Sequence, residues 1–262
     1  MEFTPARTIG FAAIVCLVCA ILVSSAAVGL KEQQKENEAL DRQKKVLDVA
    51  GLLTDQIASN PDELRKVYQQ RVKPTLHALK SKGCENVDAK TFDQVKASKD
   101  PTTSSSVAEA NLAKEASGSK VQRVPHCGMM YEIKSAQNPN TIETVIIPVE
   151  GKGLWSTLYG FIAMDTNGVD IKGLTFYKHA ETPGLGGEVD NPKWKAKWKG
   201  KKAFKKGSRV PALYVQKGIA KDEYSVDGLS GATLTSNGVT HLLQFWLSEK
   251  LFGSYFVKKG SG

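Results

Sequence analysis

The sequence predicts an α+β fold: an N-terminal transmembrane helix, then a twisted antiparallel sheet domain with helices packed on it. Three observations carry this prediction. Thr8 to Leu30 is an apolar run without charge, bracketed by Arg7 and Lys31. Between Thr141 and Phe176, short runs rich in β-branched and aromatic residues alternate with turn signals, as antiparallel strands require. Near the end, Val239, Leu242, Leu243, Trp246 and Leu247 recur at the spacing of one buried helix face.

In chain order, the apolar run comes first. About 20 residues cross a bilayer core, so Thr8 to Leu30 is long enough to span. The rival reading is a cleaved signal peptide, with Ser24 to Ala27 as the small residues before a cut. Signal cores run about 7–15 residues, and this run exceeds that, so a retained anchor is expected. Only Arg7 precedes the span, whereas Lys31, Lys35, Arg42, Lys44 and Lys45 follow it. That count would hold the large domain in the cytoplasm. Long domains cross largely regardless of flanking charge, however, so charge leaves the side open.

Lys31 to Leu53 reads as a helix, with Leu40, Leu47 and Ala50 on one stripe beside Val46 and Leu53. Asn60-Pro61 breaks it, and the helical pattern resumes from Pro61 to Leu79 through Leu64, Val67 and Val72. Residues 97–120 are rich in Ser, Thr, Ala and Lys and read as a polar surface insertion or loop. The expected strands are Thr141 to Val149, Leu158 to Met164 and Gly168 to Phe176, with Leu213 to Gln216 a further one. Asp165-Thr-Asn-Gly168 marks a turn. The last helix is expected to be capped by Ser236 or Asn237.

At 262 residues and a formal charge of +9, the chain can bury one sizeable core besides its anchor. Of the four cysteines, Cys16 and Cys19 lie inside the apolar run, and Cys84 and Cys127, in the polar part, have no C-x-x-C partner, so a zinc or iron–sulfur site is not expected. Those two are able to pair if their part of the chain leaves the cytosol. His77, His126, His179 and His241 lack ligand-like spacing, so no metal is expected. Lys193 to Arg209 holds eight lysines, one arginine and no acid, interleaved with Trp194, Trp198 and Phe204. A solvated basic face with its aromatics turned inward is the plain reading, and a docking surface for an acidic partner or an anionic lipid surface the sharper one. Nucleic-acid binding does not suit a membrane anchor.

Three segments could carry chemistry. Asp227-Gly-Leu-Ser-Gly-Ala-Thr233-Leu-Thr-Ser-Asn237 sets a glycine-broken hydroxyl cluster before the last helix, where free N–H groups and the helix dipole favour a phosphate. Ser230, Thr233, Thr235 and Ser236 add hydroxyls, and small Gly231 and Ala232 leave Thr233 accessible. An ordinary N-cap is the plain alternative, and no Gly-Lys-Ser/Thr triplet makes it a P-loop. His179-Ala-Glu181-Thr182-Pro-Gly184-Leu185-Gly186-Gly187 contains a Pro-Gly turn and a Gly-Gly pair that admits close approach. Gly151-Lys-Gly153-Leu154-Trp155 reads as a hairpin corner.

Asp227 to Thr233 resembles the flavinylation motif Asp-x-x-Ser/Thr-Gly-Ala-Thr, and the other two segments resemble the glycine–leucine–tryptophan and Glu-Thr-Pro-Gly-Leu-Gly loops of covalent FMN-binding domains. In anchor, length and segment order the chain resembles the C subunits of bacterial Na⁺-translocating NADH:quinone reductases. The homologous G subunits of the Rnf ferredoxin:NAD⁺ complexes, typically shorter, are the alternative, and a tethered lipid- or partner-binding module without redox role is another.

The resemblance implies FMN joined by a phosphoester to Thr233, with Ser230, Gly231, Ala232, Leu234 and Thr235 around it. It implies that Gly153, Leu154, Trp155, Glu181, Thr182, Gly184, Leu185 and Gly186 line the flavin. Lys217, otherwise a plain surface lysine, would stand near its N1–C2 edge, and Asp227 would be read by the flavin transferase. No catalytic acid or base is expected. Electrons would pass from NADH through this FMN toward ubiquinone, among other subunits of an inner-membrane complex that pumps Na⁺. The implied division is 1–35 for the anchor and its flank and 36–262 for a periplasmic FMN-binding domain, with 141–250 its flavin-binding core.

Overall fold

α1 (Pro5–Gly29) opens the computed structural model, which describes residues 4–80 and 84–259. Proline at its first turn removes an N–H that has no helical partner anyway. Among the described residues it is the one helix long and apolar enough to cross a membrane, with a mean hydropathy of 2.7 over its best window. α2 (Lys31–Val49) follows. The chain divides into two compact units, Met1–Arg42 and Gln43–Gly262. The boundary lies inside α2, later than the expected 35/36 division, and of α2 only Val46, Leu47 and Val49 are buried.

After the end of α2, the second unit continues with α3 (Asp55–Ser59) and α4 (Pro61–Arg71). The Asn60-Pro61 break starts α4, because the Asn60 side chain accepts the Asp62 and Glu63 amides. The helix expected through Leu79 ends at Arg71. The chain continues as β1 (Val72–Ala78), paired antiparallel with β4 (Cys127–Lys134). Pro74 tolerates this because β1 is an edge strand.

Between them lie α5 (Gln94–Lys99), the short pair β2 (Ser104–Ser106) and β3 (Arg123–Pro125), and α6 (Ala113–Ser119). Residues 97–120 are therefore folded rather than a loose insertion. Leu112 and Ala116 join the core, and small side chains let α6 approach closely. A Cβ on Gly118 would lie 2.4 Å from the His241 ring. Cys84 and Cys127 form a disulfide with 5.1 Å between their Cα atoms.

β5 (Ile142–Lys152), β6 (Thr157–Asp165) and β7 (Ile171–Lys178) complete a five-stranded antiparallel sheet in the order β1-β4-β5-β6-β7. The Asp165–Gly168 turn closes β6 onto β7 with Gly168 at φ 73°. After a 3₁₀ turn (Gly186–Asp190) come α7 (Pro192–Ala196), the parallel pair β8 (Tyr214–Gln216) and β9 (Ser225–Asp227), α8 (Thr233–Trp246) and α9 (Gly253–Lys259). In the basic stretch, Trp194 and Trp198 pack edge-to-face and buried, while Lys193, Lys199, Lys205 and Lys206 face solvent.

α8 buries Val239, Leu242, Leu243 and Trp246 in the same cluster as Val145, Ile147 and Val149 of β5 and Leu158 and Ile162 of β6. Each such side chain contributes about 1.5–3 kcal/mol on burial. The Trp246 indole donates to the Glu150 carbonyl at 2.7 Å. Close approach depends on glycine: a Cβ on Gly238 would fall 2.3 Å from the Lys152 carbonyl oxygen. This packing lays the first turn of α8 beside the β5–β6 corner.

Candidate functional site

The β5–β6 corner is the first of three loops that meet there. The Gly153 amide donates to the Ser156 carbonyl at 2.8 Å, closing a tight turn. The turn leaves successive amides pointing one way, toward a single carboxylate. Glu181 Oε1 accepts the Trp155 and Ser156 amides at 3.0 Å and the Ser156 hydroxyl at 3.2 Å. Its Oε2 accepts the Leu154 amide at 3.1 Å. The side chains of Leu154 and Trp155 are left exposed, 44% and 68%.

The second loop leaves the end of β7. The Thr182 carbonyl accepts the amides of Leu185, at 3.1 Å, and Gly187, at 2.9 Å, so the chain doubles back within a few residues. Gly184 makes the reversal at φ 76°, a region that favours glycine. Leu185, like Thr182 and Gly184, is exposed at the tip. Gly186 lies beneath it, where a Cβ would come 2.6 Å from Thr235 Oγ1 and 2.8 Å from Glu181 Oε2.

The third loop joins β9 to α8. Leu229 donates its amide to the Ser236 hydroxyl at 3.1 Å, and Ala232 donates to the Leu229 carbonyl, folding Ser230 and Gly231 outward. Gly231, at φ 70°, is so close to the second loop that a Cβ would lie 2.9 Å from Leu185 Cδ2. α8 then starts at Thr233 with Ala232 as its cap residue and no side-chain cap. The expected Ser236 or Asn237 cap is corrected: Ser236 lies inside the helix and its hydroxyl holds the preceding turn instead. The helical ladder begins with the Ser236 amide on the Ala232 carbonyl. The amides of Thr233, Leu234 and Thr235 precede that ladder, as first-turn amides do. Thr233 and Leu234 are exposed, whereas Thr235 is buried and donates its hydroxyl to Glu181 Oε2 at 2.7 Å.

Glu181 thus ties all three loops together. It is 5% exposed, and burial pushes its carboxyl up. The Thr235 hydroxyl and the Ser156, Trp155 and Leu154 amides more than offset that, holding it below the usual carboxylate range. Its carboxylate faces these donors inside the protein rather than the exposed apolar surface above. Asp227 is also engaged. Lys197 pairs with one carboxylate oxygen and the Ala220 amide donates to the other at 2.7 Å, while Trp194 donates to its carbonyl at 2.8 Å. The Lys197 hydrogen bond, then the Ala220 amide, hold the Asp227 carboxyl below its ordinary value. Lys217 is exposed on the loop after β8, joined to the motif by the Gly228 amide on the Gly218 carbonyl at 2.9 Å.

Sequence reasoning missed Ser156, which accepts the Ala180 amide on its hydroxyl at 2.8 Å, and His179, whose ring accepts the Glu181 amide. Neither has a periodic or motif signal; both matter only once β5, β6 and β7 are paired. The arrangement offers an exposed threonine hydroxyl and the first-turn amides of a helix for a phosphate. On the first two of the three loops the apolar side chains of Leu154, Trp155 and Leu185 are exposed. Glycines at 153, 186 and 231 fill the space where any side chain would collide.

Comparison with known proteins agrees in kind. Residues 153–248 match the FMN-binding domain family. The chain is 43% identical over 258 residues to the C subunit of the Na⁺-translocating NADH-quinone reductase of Vibrio vulnificus, covering 98% of this chain and 96% of that one. To the protein of the same name from Pseudomonas aeruginosa it is 37% identical, covering 98% and 96%. The crystal structure of Shewanella oneidensis NqrC superposes with a TM-score of 0.73 at 30% identity, covering 84% of this chain and 96% of that chain. The crystal structure of the same reductase's C subunit from Parabacteroides distasonis gives 0.63 at 26% identity, over 89% and 98%.

Proposed function

The chain belongs to the family of C subunits of the Na⁺-translocating NADH-quinone reductases, and on that premise we propose that it carries FMN esterified through its phosphate to Thr233 and relays electrons within such a complex. The observation that carries the reading is the convergence of three loops on the first turn of α8, with Thr233 exposed and Leu154, Trp155 and Leu185 exposed on the same loops. When bound, FMN supplies reversible electron transfer between NADH-derived reductant and a quinone.

This chain's residues do the rest. Thr233 provides the hydroxyl oxygen of the phosphoester. Ser230, Gly231, Ala232, Leu234 and Thr235 form the turn that presents it, with first-turn amides and the helix dipole favouring the phosphate charge. Leu154, Trp155 and Leu185 would offer the ring apolar contacts. Gly153, Thr182, Gly184 and Gly186 shape the loops, and Glu181 holds them in place from beneath. Lys217 provides positive charge near the ring, and Asp227 is recognised by the flavin transferase during maturation. A tether through the phosphate leaves the ring itself unsubstituted.

α1 anchors the protein in the membrane, and the domain lies on the periplasmic side of the bacterial inner membrane. The Cys84–Cys127 disulfide supports that side, because such bonds persist in oxidising compartments. Alkaline phosphatase fused after Gly262 is then active, and an inactive, well-expressed fusion would place the domain in the cytoplasm. Thr233→Ala tests the tether. After coexpression with the flavin transferase, the denatured wild-type band fluoresces on a gel and the variant does not, with unfolding temperature unchanged. A fluorescent Thr233→Ala band would refute the assignment.

A further inference from the structure

His179 stands just past β7, at the base of the loop that carries Leu185, and one imidazole ring touches both ends of that loop. At the near end, Nδ1 accepts the Glu181 amide at 3.2 Å. At the far end, Nε2 lies 2.8 Å from Oδ2 of Asp190, the last residue of the 3₁₀ turn. An amide N–H can only donate, so Nδ1 must present a lone pair. A carboxylate can only accept, so Nε2 must carry the proton. The two contacts together select one species, the neutral imidazole protonated at Nε2.

The consequence reaches further than the loop. The Glu181 amide and the Glu181 carboxylate belong to one residue: the amide is fixed by His179, and the carboxylate organises the Leu154–Ser156 turn and Thr235. The Ala180 amide on the Ser156 hydroxyl closes a second link across the same residues. The ring holds Glu181 from its backbone side, at the base of a loop whose Leu185 tip is otherwise tied by the Thr182 carbonyl and by the Glu188 amide on the Leu185 carbonyl. His179 makes no use of its basicity in this arrangement. It works as a two-ended strut.

We infer that His179 is a positioning residue of the flavin site: as the Nε2-protonated tautomer it pins the Glu181 amide and Asp190, and so fixes Leu185 and the Glu181 carboxylate beneath the ring. In its flavin consequence the inference rests on the proposed function; in its loop geometry it does not.

The test separates the two nitrogens. Asparagine places a carbonyl oxygen near the position of Nδ1, and glutamine places an amide near that of Nε2. His179→Asn therefore keeps the acceptor for the Glu181 amide, and His179→Gln keeps only the donor to Asp190. In the full-length protein in detergent, hydrogen exchange of the Glu181 amide should be about tenfold faster in His179→Gln, the equivalent of one lost hydrogen bond, and close to wild type in His179→Asn. On flavinylated protein, fluorescence anisotropy of the flavin should fall in both variants, since each has lost one end of the strut, while the exchange of the Glu181 amide tells the two ends apart. Nitrogen-15 spectra of histidine-labelled wild type should give a pyridine-like Nδ1 and a protonated Nε2.

A protonated Nδ1 in neutral solution, or equal exchange in the two variants, overturns the inference. A residue that merely filled space would change amide exchange alike in both variants. Protein that carries no flavin in wild type overturns the proposed function, and the exchange and nitrogen-15 readings then still decide the strut.

Discussion

Replacing Glu181 with glutamine keeps the side chain's shape, removes its charge and turns one end from acceptor into donor. Every partner of the carboxylate is itself a donor: three backbone amides and two hydroxyls. The least damaging orientation puts the new NH₂ where Oε2 was, so that the Thr235 hydroxyl can rotate to accept from it. The Leu154 amide then faces another donor. One amide is left unpaired in a buried place, and the remaining bonds lose the assistance of a charge. Hydrogen bonds to charged groups contribute about 1.5–3 kcal/mol each, so a net loss of about 2–4 kcal/mol is expected. For a domain of this size, that corresponds to a fall of roughly 5–15 °C in unfolding temperature.

Circular dichroism on full-length protein in detergent measures it at neutral pH. Acid supplies an internal control. The folded carboxyl titrates below its ordinary value of 4.5. Its contribution is therefore complete above that value and is lost as the pH falls through the folded one. The gap between wild type and Glu181→Gln should narrow below about pH 4.5. A gap under about 1 °C at neutral pH, or one that widens in acid, would refute the role given to this carboxylate.

Three further outcomes are expected. Leu185→Asp places a negative charge beside the flavin ring and should lower its midpoint potential by tens of millivolts, on the order of one screened charge, without removing the tether; redox titration alongside thermal unfolding would expose an unchanged potential in a destabilised protein, the contrary result. Burial pushes the Glu150 carboxyl up to about 7, with the Ser98 hydroxyl and Lys99 only partly opposing it. Wild-type stability should therefore decline as pH rises from the ordinary value of 4.5 through about 7, and Glu150→Gln should flatten that slope. Gly238→Ala drives a methyl into the Lys152 carbonyl, 2.3 Å from the built Cβ; a loss of about 1–3 kcal/mol in denaturant unfolding is expected, and a neutral effect would mean that α8 can slide on β5.

The parts of the fold that local pattern dictates are legible in the chain. β5, β6 and β7 have branched residues and turn signals in sequence, and α8 has its stripe, because each writes its burial into its own period. β1 reads as helix because Leu64, Val67 and Val72 continue a helical spacing past Arg71; pairing with β4 overrides it. β4 itself gives only a short signal, the Tyr131-Glu132-Ile133-Lys134 alternation, because Gly128 and the Met129-Met130 pair break the pattern before it. The 97–120 stretch reads as a loop because its core contribution comes from Leu112 and Ala116 and otherwise from small residues packed closely. At the site, glycines and hydroxyls mark the three loops, but nothing local reveals that one buried glutamate joins them. That role exists only where distant amides converge, as does the Lys197–Asp227 pair inside a stretch that reads simply as basic.

Everything proposed for the flavin depends on the covalent tether at Thr233. Peptide mass spectrometry of full-length protein matured with the flavin transferase reads that bond itself, with fragmentation that locates the modified residue. One peptide should carry the mass of FMN less water, with fragment ions placing it on Thr233. An unmodified Thr233 in a protein that fluoresces, or the flavin mass on Thr235 or Ser230, would contradict it.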